Sequence, residues 1–301
     1  MDKNILAKNI LILDELRRFS ELVCGAGMRA VVLKGAALIA LEPAYIGTRA
    51  MDDIDIFVRG EDMPAVRSII SALGYYPVPG DPWTLKNGKS GIAFDLCAGL
   101  WYLSRKENEA AFQGSKRFPL NQIGAGLFHL PPDEFFIHLA AHCAVHHNIK
   151  EKKWIEDISL LRALWPKETS TAALAEKLSG YGLWEAAGFM LRDVSGVDKS
   201  SGELWNRRRG RRLAGFLLNS GFNKTIPNYG HILRFALLPG TKKIPHLLKA
   251  LFPSGEFLAL RYGLTGASAV TMFRFLRPCI MLFKLLLLPF KKLRAAPAAD
   301  Q

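Results

Sequence analysis

The run Met51-Asp52-Asp53-Ile54-Asp55-Ile56-Phe57-Val58 has the character of a strand whose apolar course is interrupted by acids. Successive side chains of a strand point to opposite faces, so Asp53 and Asp55 share one face, roughly 7 Å apart along the backbone, and Ile54 and Ile56 share the other. Two carboxylates so placed against an apolar back repel each other. Loss of solvent raises their pKa values unless positive charge lies between them. Mg2+ meets that demand, since it takes oxygen ligands at about 2.1 Å and is held by one or two carboxylates together with substrate phosphates. Asp95 stands in the middle of a later apolar run, Gly91–Cys97. Alone it is expensive there; beside the first two it becomes a third ligand.

Several elements must position these groups. Ala30–Leu33 is a buried strand that breaks at Lys34-Gly35 and enters a helix running to Leu41. Such a turn leaves unpaired backbone N–H groups at a helix N-terminus, where a phosphate can sit. Pro43–Arg49 forms a loop able to hang over the carboxylates, and Arg49 can pair with phosphate or with Asp52. Upstream, residues from about 3 to 24 place Leu6, Ile10, Leu13, Leu16, Phe19 and Val23 at helical spacing, and Gly25 and Gly27 end that helix. Asp62 and Pro64 open another, with Ile69, Ile70 and Leu73 on its apolar side and Gly74 as its stop. The Gly/Pro/Asn-rich passage from Tyr75 through Ser90 reads as turns and a hairpin. The result is a small mixed sheet carrying helices, with αβ character that ends near residue 104.

A strand ending in a Gly turn, then Asp-x-Asp on a neighbouring strand, then one more Asp on a later strand resembles the polymerase-β-like nucleotidyltransferase superfamily. Val32–Leu38, Arg49–Val58 and Gly74-Tyr75 are similar to the uncharacterised bacterial nucleotidyltransferase family within it, over about residues 30–100. Weaker similarity continues at His138, His142, Trp154, Asp157 and Phe252-Pro253-Ser254. The resemblance implies a nucleotidyltransferase-like core, and with the chain's own pattern the expected fold is α+β: that core with an N-terminal helix over 1–104, a helical domain over 105–265, and a basic, apolar tail over 266–301. It implies transfer of a nucleoside monophosphate from an NTP, ATP first, to a hydroxyl acceptor with release of pyrophosphate. Asp53, Asp55 and Asp95 are then catalytic and hold two Mg2+ ions, and Lys34, Gly35, Ala36 and Arg49 bind the nucleotide. Two departures stand out. The superfamily's usual Gly-Ser is Gly35-Ala36 here, and the gap from Gly35 to Asp53 is longer than its common spacing. The alternative is a non-catalytic nucleotide-binding or scaffold protein in a membrane-linked biosynthetic assembly. The acceptor stays open among small molecule, sugar, peptide and protein.

The chain has 301 residues, half of them apolar, which excludes a disordered protein and allows one large or two modest domains. Four scattered cysteines without a CxxC pair offer neither a zinc ribbon nor a disulfide framework, and fit a reducing cytosol. The N-terminus lacks the charged-then-apolar pattern of an export signal, so a cytoplasmic location is expected. The net charge of +13 is uneven: residues 201–301 hold 17 Lys and Arg against 3 Asp and Glu. Arg207–Arg212 is a solvated face or an anion patch; without an aromatic platform or a reading motif, nucleic acid is not an expected partner. Pro278–Phe290 is strongly apolar and flanked by Arg274, Arg277, Lys291, Lys292 and Arg294. A bilayer span needs about 20 residues, so this shorter run fits either an interfacial helix on an anionic membrane or a helix docked on protein. The last seven residues, from Ala295, are expected to be disordered.

From Pro131 the pattern turns helical. His138, His142 and His146 recur at i, i+4 and i+8 on one face. The spacing suits a metal, but Leu139 stands where a zinc protease needs Glu. The face can instead turn toward nucleotide or acceptor, or belong to a helical core. Asp157 can approach the site but is expected on a helix surface, and residues 170–194 as further amphipathic helices.

Overall fold

The computed structural model describes residues 2–119, 123–148, 151–164, 171–191, 212–219, 229–238 and 240–286. Arg207–Arg211 and the tail beyond residue 286 lie outside the described residues.

The fold is α+β. Among the described residues seven strands form one mixed sheet: β1 (Ala30–Val32), β2 (Asp53–Phe57), β3 (Tyr76–Val78), β4 (Asp81–Lys86), β5 (Ala93–Cys97), β6 (Lys116–Arg117) and β7 (Leu127–His129). Their order is β3-β4-β5-β2-β1-β7-β6. β2 runs parallel to β5 with Asp55 opposite Asp95, and β1 lies antiparallel to β2 and parallel to β7. The turn-rich passage after Gly74 makes the β3–β4 hairpin, which carries the sheet on to β5.

Helix α1 (Lys3–Gly25) buries Asn9, Ile12, Leu16, Phe19, Ser20 and Val23. Ile10, expected on the apolar stripe, is exposed. The stripe passes instead through Asn9, whose Nδ2 donates to the carbonyls of Ile46 and Arg49 at 2.7 Å each, pairing the donor end of the buried amide and tethering the chain between α2 (Lys34–Leu41) and β2. Phe19 packs on Phe94 of β5 with ring centroids 5.2 Å apart, and Tyr75 meets the same ring at 4.9 Å. Each such fully buried aromatic stabilises by roughly 1.5–3 kcal/mol. Helix α3 (Met63–Ala72) turns Val66 and Ile70 inward and ends at Gly74, where φ is +88°.

The sheet does not stop where the sequence pattern loses its αβ character near residue 104. After α4 (Arg105–Gln113), β7 returns to pair with β1, and β6 pairs with β7 at the sheet's edge. Two- and three-residue strands are too short to show a period of two, which is why the pattern conceals them. Their docking on α1 requires Gly126: a Cβ there would lie 2.7 Å from the Ser20 carbonyl oxygen and 3.0 Å from the Cys24 nitrogen. The Gly126 N–H donates to Ser20 Oγ at 3.2 Å.

The remaining described elements are helical: α5 (Pro132–Ala141), a π-helical turn (His142–His147), α6 (Lys152–Ala163), α7 (Thr171–Tyr181), α8 (Trp184–Leu191), α9 (Arg212–Asn219), α10 (Tyr229–Leu237), α11 (Gly240–Leu251), α12 (Gly255–Tyr262) and α13 (Ala267–Leu286). Lys177 of α7 donates to Glu134 at 3.0 Å and also to Asp133, fastening the first turn of α5. Helix α13 takes in the beginning of the apolar tail and exposes Met272, Phe275 and Phe283. Among the described residues no helix is long and apolar enough to cross a membrane.

Candidate active site

Asp55 and Asp95 sit side by side because β2 and β5 run parallel in that register. Thr84 lies opposite Asp95 from β4 and donates to its Oδ1 at 3.4 Å. Asp53, at the start of β2, is exposed, whereas Asp55 is only 6% exposed. The cation beside Asp55 is Lys34, whose Nζ stands 2.5 Å from Asp55 Oδ1. Burial pushes the Asp55 carboxyl up to about 7; Lys34 opposes this, and Asp53 and Asp95 add to it. Asp95 is also held above the usual carboxylate range by burial, against the pull of Lys34. Burial works against the charge on Lys34, yet Asp55, then Asp95 and Asp53, carry its pKa above the ordinary lysine value. Three carboxylates thus share one ammonium.

The sharp break after β1 aims that ammonium. Lys34 has φ of +50°, a left-handed conformation that a non-glycine residue adopts at a cost of about 1 kcal/mol. Leu33 N–H donates to the Asp55 carbonyl at 2.9 Å, so the turn is pinned to the acidic strand itself. Leu33 gives α2 no side-chain cap. At Gly35 a Cβ would stand 3.3 Å from Arg49 Nη2 and 3.3 Å from Met51 Cγ, so the glycine is what lets the Arg49 guanidinium lie on the turn. Ala36 follows, buried.

Arg49 does not pair with Asp52. Its Nε and Nη2 donate to the two oxygens of Asp157 at 2.7 and 2.8 Å. Asp157 is 4% exposed, not on a helix surface, and this fork bolts α6 over the turn. Asp52 is exposed and instead accepts a hydrogen bond from Lys8 of α1.

Residues 2–194 match the family model described as uncharacterised nucleotidyltransferase. The chain belongs to that family. The matched span takes in the whole sheet, the three carboxylates, Lys34, Arg49 and Asp157, and runs on past α8, leaving α9–α13 beyond it. Among solved structures, that of the antibiotic-resistance factor ANT(2'')-Ia in solution is similar at 18% identity, covering 66% of this chain and 98% of that one, with a TM-score of 0.43. No curated protein matches.

In this family member the histidine face lies within reach of the Lys34 charge, which acts on all four rings. His138 and His142 are deeply set, with rings 6.3 Å apart, and the His142 and His146 rings lie 5.1 Å apart. The π-helical turn adds His147, whose Nε2 is 3.0 Å from His142 Nε2 and whose ring lies 4.5 Å from Trp154. Helical spacing points to His146 and passes over His147; the consecutive pair His146-His147 was the only sequence signal for it. Burial lowers all four pKa values and the Lys34 charge lowers them further, while Asp53 pulls His147 the other way. Among the described residues no group of three or more His, Cys, Asp or Glu side chains is gathered to hold a metal.

Both ring nitrogens of His138 are buried without a hydrogen-bond partner among the described residues, and burial pushes its pKa down to about 3. An unfolded histidine titrates near 6.5. Below that value the unfolded chain takes up a proton that the fold refuses, so the stability associated with His138 is complete above about pH 6.5. It is lost as pH falls toward the folded value, at about 1.4 kcal/mol per unit. Urea midpoints measured from pH 7 to pH 4 should fall less steeply in His138→Gln than in the wild type. Equal slopes would remove His138 from the acid response.

Proposed function

We propose that the chain transfers a nucleoside monophosphate from an NTP, ATP first, to a hydroxyl acceptor and releases pyrophosphate. The observation that carries this reading is the register of Asp55 with Asp95 around a single ammonium. Lys34 is the cation that acts on both Asp55 and Asp95, while burial first, and then the neighbouring carboxylates, hold the Asp55 carboxyl up to about 7. The donors of that face are all carboxylate oxygens, the hard ligands that Mg2+ takes. With Lys34 on Asp55 the three carboxylates are not gathered around one point; once Lys34 turns away, Asp53, Asp55 and Asp95 would hold two such ions, which when bound neutralise phosphate charge and lower the pKa of the acceptor hydroxyl.

Around them the chain's own groups have distinct work. The uncapped first turn of α2, from Gly35 and Ala36, receives the β and γ phosphates on its N–H groups. Lys34 turns from Asp55 to the triphosphate when a nucleotide arrives, and Arg49, already stretched over Gly35, offsets charge on the leaving pyrophosphate. The acceptor oxygen attacks the α-phosphorus in line, the bond from that phosphorus to the bridging oxygen breaks, and the hydroxyl proton passes to solvent water. His147, which feels the Asp53 charge, and Trp154 beside it would lie on the acceptor's side. A small molecule, sugar, peptide or protein can supply the hydroxyl. The exposed apolar side chains of α13, interleaved with Arg274 and Arg277, support peripheral contact with an anionic membrane from the cytoplasmic side.

Titration calorimetry with a non-hydrolysable ATP analogue, with and without Mg2+, tests the reading. Metal-dependent binding that disappears in the Asp53→Ala/Asp55→Ala double variant is expected. Failure of all four common nucleotides to bind would overturn it and leave the scaffold alternative.

A further inference from the structure

At the carboxyl ends of β2 and β5 the chain runs out into Arg59-Gly60 and Ala98–Leu103. Between these turns, α4, α10 and α11 lies a cleft of about 1320 Å³. Asp53, Asp55 and Asp95 are not among its walls, so it is separate from the carboxylate face. Among the described residues its cations are Arg59, Arg105, Lys106, Arg234 and Lys249, and its acids are Glu61 and Glu109. Glu61 is occupied by Arg59 at 3.2 Å, and Glu109 accepts from Gln113 at 2.9 Å. Arg59 is taken up by Glu61 and Asp62, so Arg105, Lys106, Arg234 and Lys249 face the cleft against Glu109, and the balance is positive.

Arg234 is the unusual member. Its Nε is buried and meets no acceptor among the described residues, and its guanidinium lies 4.6 Å over the ring of Trp101. The other deeply placed cations have acids: Lys34 has Asp55, and Arg49 has Asp157. Arg234 has none, and burial alone pulls its pKa down to about 10. An unpaired buried cation is costly to a fold. Beside it in the cleft, His246 also has a buried Nε2 without a partner among the described residues. The exposed Arg105, Lys106 and Lys249 stand at the rim, while Leu100, Trp101 and Leu103 give apolar surface. A converging set of cations with one aromatic wall, in a space large enough for a small organic molecule, matches a dianionic head on a compact body.

We propose that this cleft binds a phosphate-bearing small molecule, with the phosphate seated on Arg234 and His246 and met at the rim by Arg105, Lys106 and Lys249. The site stands independently of nucleotidyl transfer. Isothermal titration of the full chain, without Mg2+ or nucleotide, would use inorganic phosphate, glucose 6-phosphate and glucose as probes. Saturable binding of glucose 6-phosphate, tighter than that of inorganic phosphate and absent for glucose, is expected. Arg234→Gln should weaken it at least about tenfold. The rim variant Arg105→Gln/Lys106→Gln/Lys249→Gln, which touches only exposed side chains, should do the same. The Asp53→Ala/Asp55→Ala variant should bind as the wild type does. Absence of binding at millimolar phosphate ester, equal affinity in the rim variant, or loss in the carboxylate variant would each overturn the proposal.

Discussion

Asp55→Ala and Asp53→Ala should each reduce nucleotide transfer by about a thousandfold or more, while leaving a folded protein. A thousandfold loss corresponds to about 4 kcal/mol of transition-state stabilisation, the scale expected when a preorganised charge is removed from the point where phosphate charge develops. Survival of the fold follows from how the site is charged. Asp55 is buried among like charges and held near 7, so its removal relieves repulsion as well as breaking the 2.5 Å contact with Lys34. Lys34 is not left stranded, because Asp95 and Asp53 also act on it. Asp95→Ala should be milder, since it serves one ion. Incorporation of α-labelled nucleotide into acceptor, read beside thermal melting, separates the two effects. Near wild-type transfer in either variant, with metal still required, would sink the assignment.

What could be read in advance depended on the range of each interaction. Alternation along β2 places Asp53 and Asp55 on one face and Ile54 and Ile56 on the other, because that information lies within five residues. That Asp55 would stand opposite Asp95 required knowing that β2 and β5 are parallel neighbours, and strand pairing is not carried by either strand alone. The same gap hid Arg49 from Asp157: helical periodicity marks a position as inward or outward but names no partner 108 residues away. At the histidines the limit was geometric. A regular α-helix groups His138, His142 and His146, but the wider π turn brings His147 to His142 as well. Asn9 shows a further limit: a polar residue on the buried stripe donates to backbone carbonyls that no pattern in α1 foretells.

Asp157→Ala should destabilise the protein by about 3–5 kcal/mol, the usual penalty for leaving one member of a buried ion pair without its partner. Both side chains are shielded, at 11% exposure for Arg49 and 4% for Asp157, so water cannot replace the lost fork. The damage should spread along the same chain segment. The Arg49 carbonyl is one of the two acceptors for Asn9, and its guanidinium covers Gly35, so α1, α6 and the turn that starts α2 meet at this residue. The double variant Arg49→Met/Asp157→Leu should recover most of the stability, because it removes both desolvated charges and keeps the volume apolar. Urea unfolding of the three proteins decides the matter: a loss under about 1 kcal/mol in Asp157→Ala, or a double variant as unstable as the single one, would contradict a buried, mutually dependent pair. The double variant then becomes the means of separating the two roles of Arg49. If it is stable yet binds Mg2+ and nucleotide more weakly than the wild type, Arg49 contributes to the phosphate turn in its own right. If its binding is unchanged, the fork with Asp157 is purely a clamp and the turn is served by Lys34 and the α2 N–H groups alone.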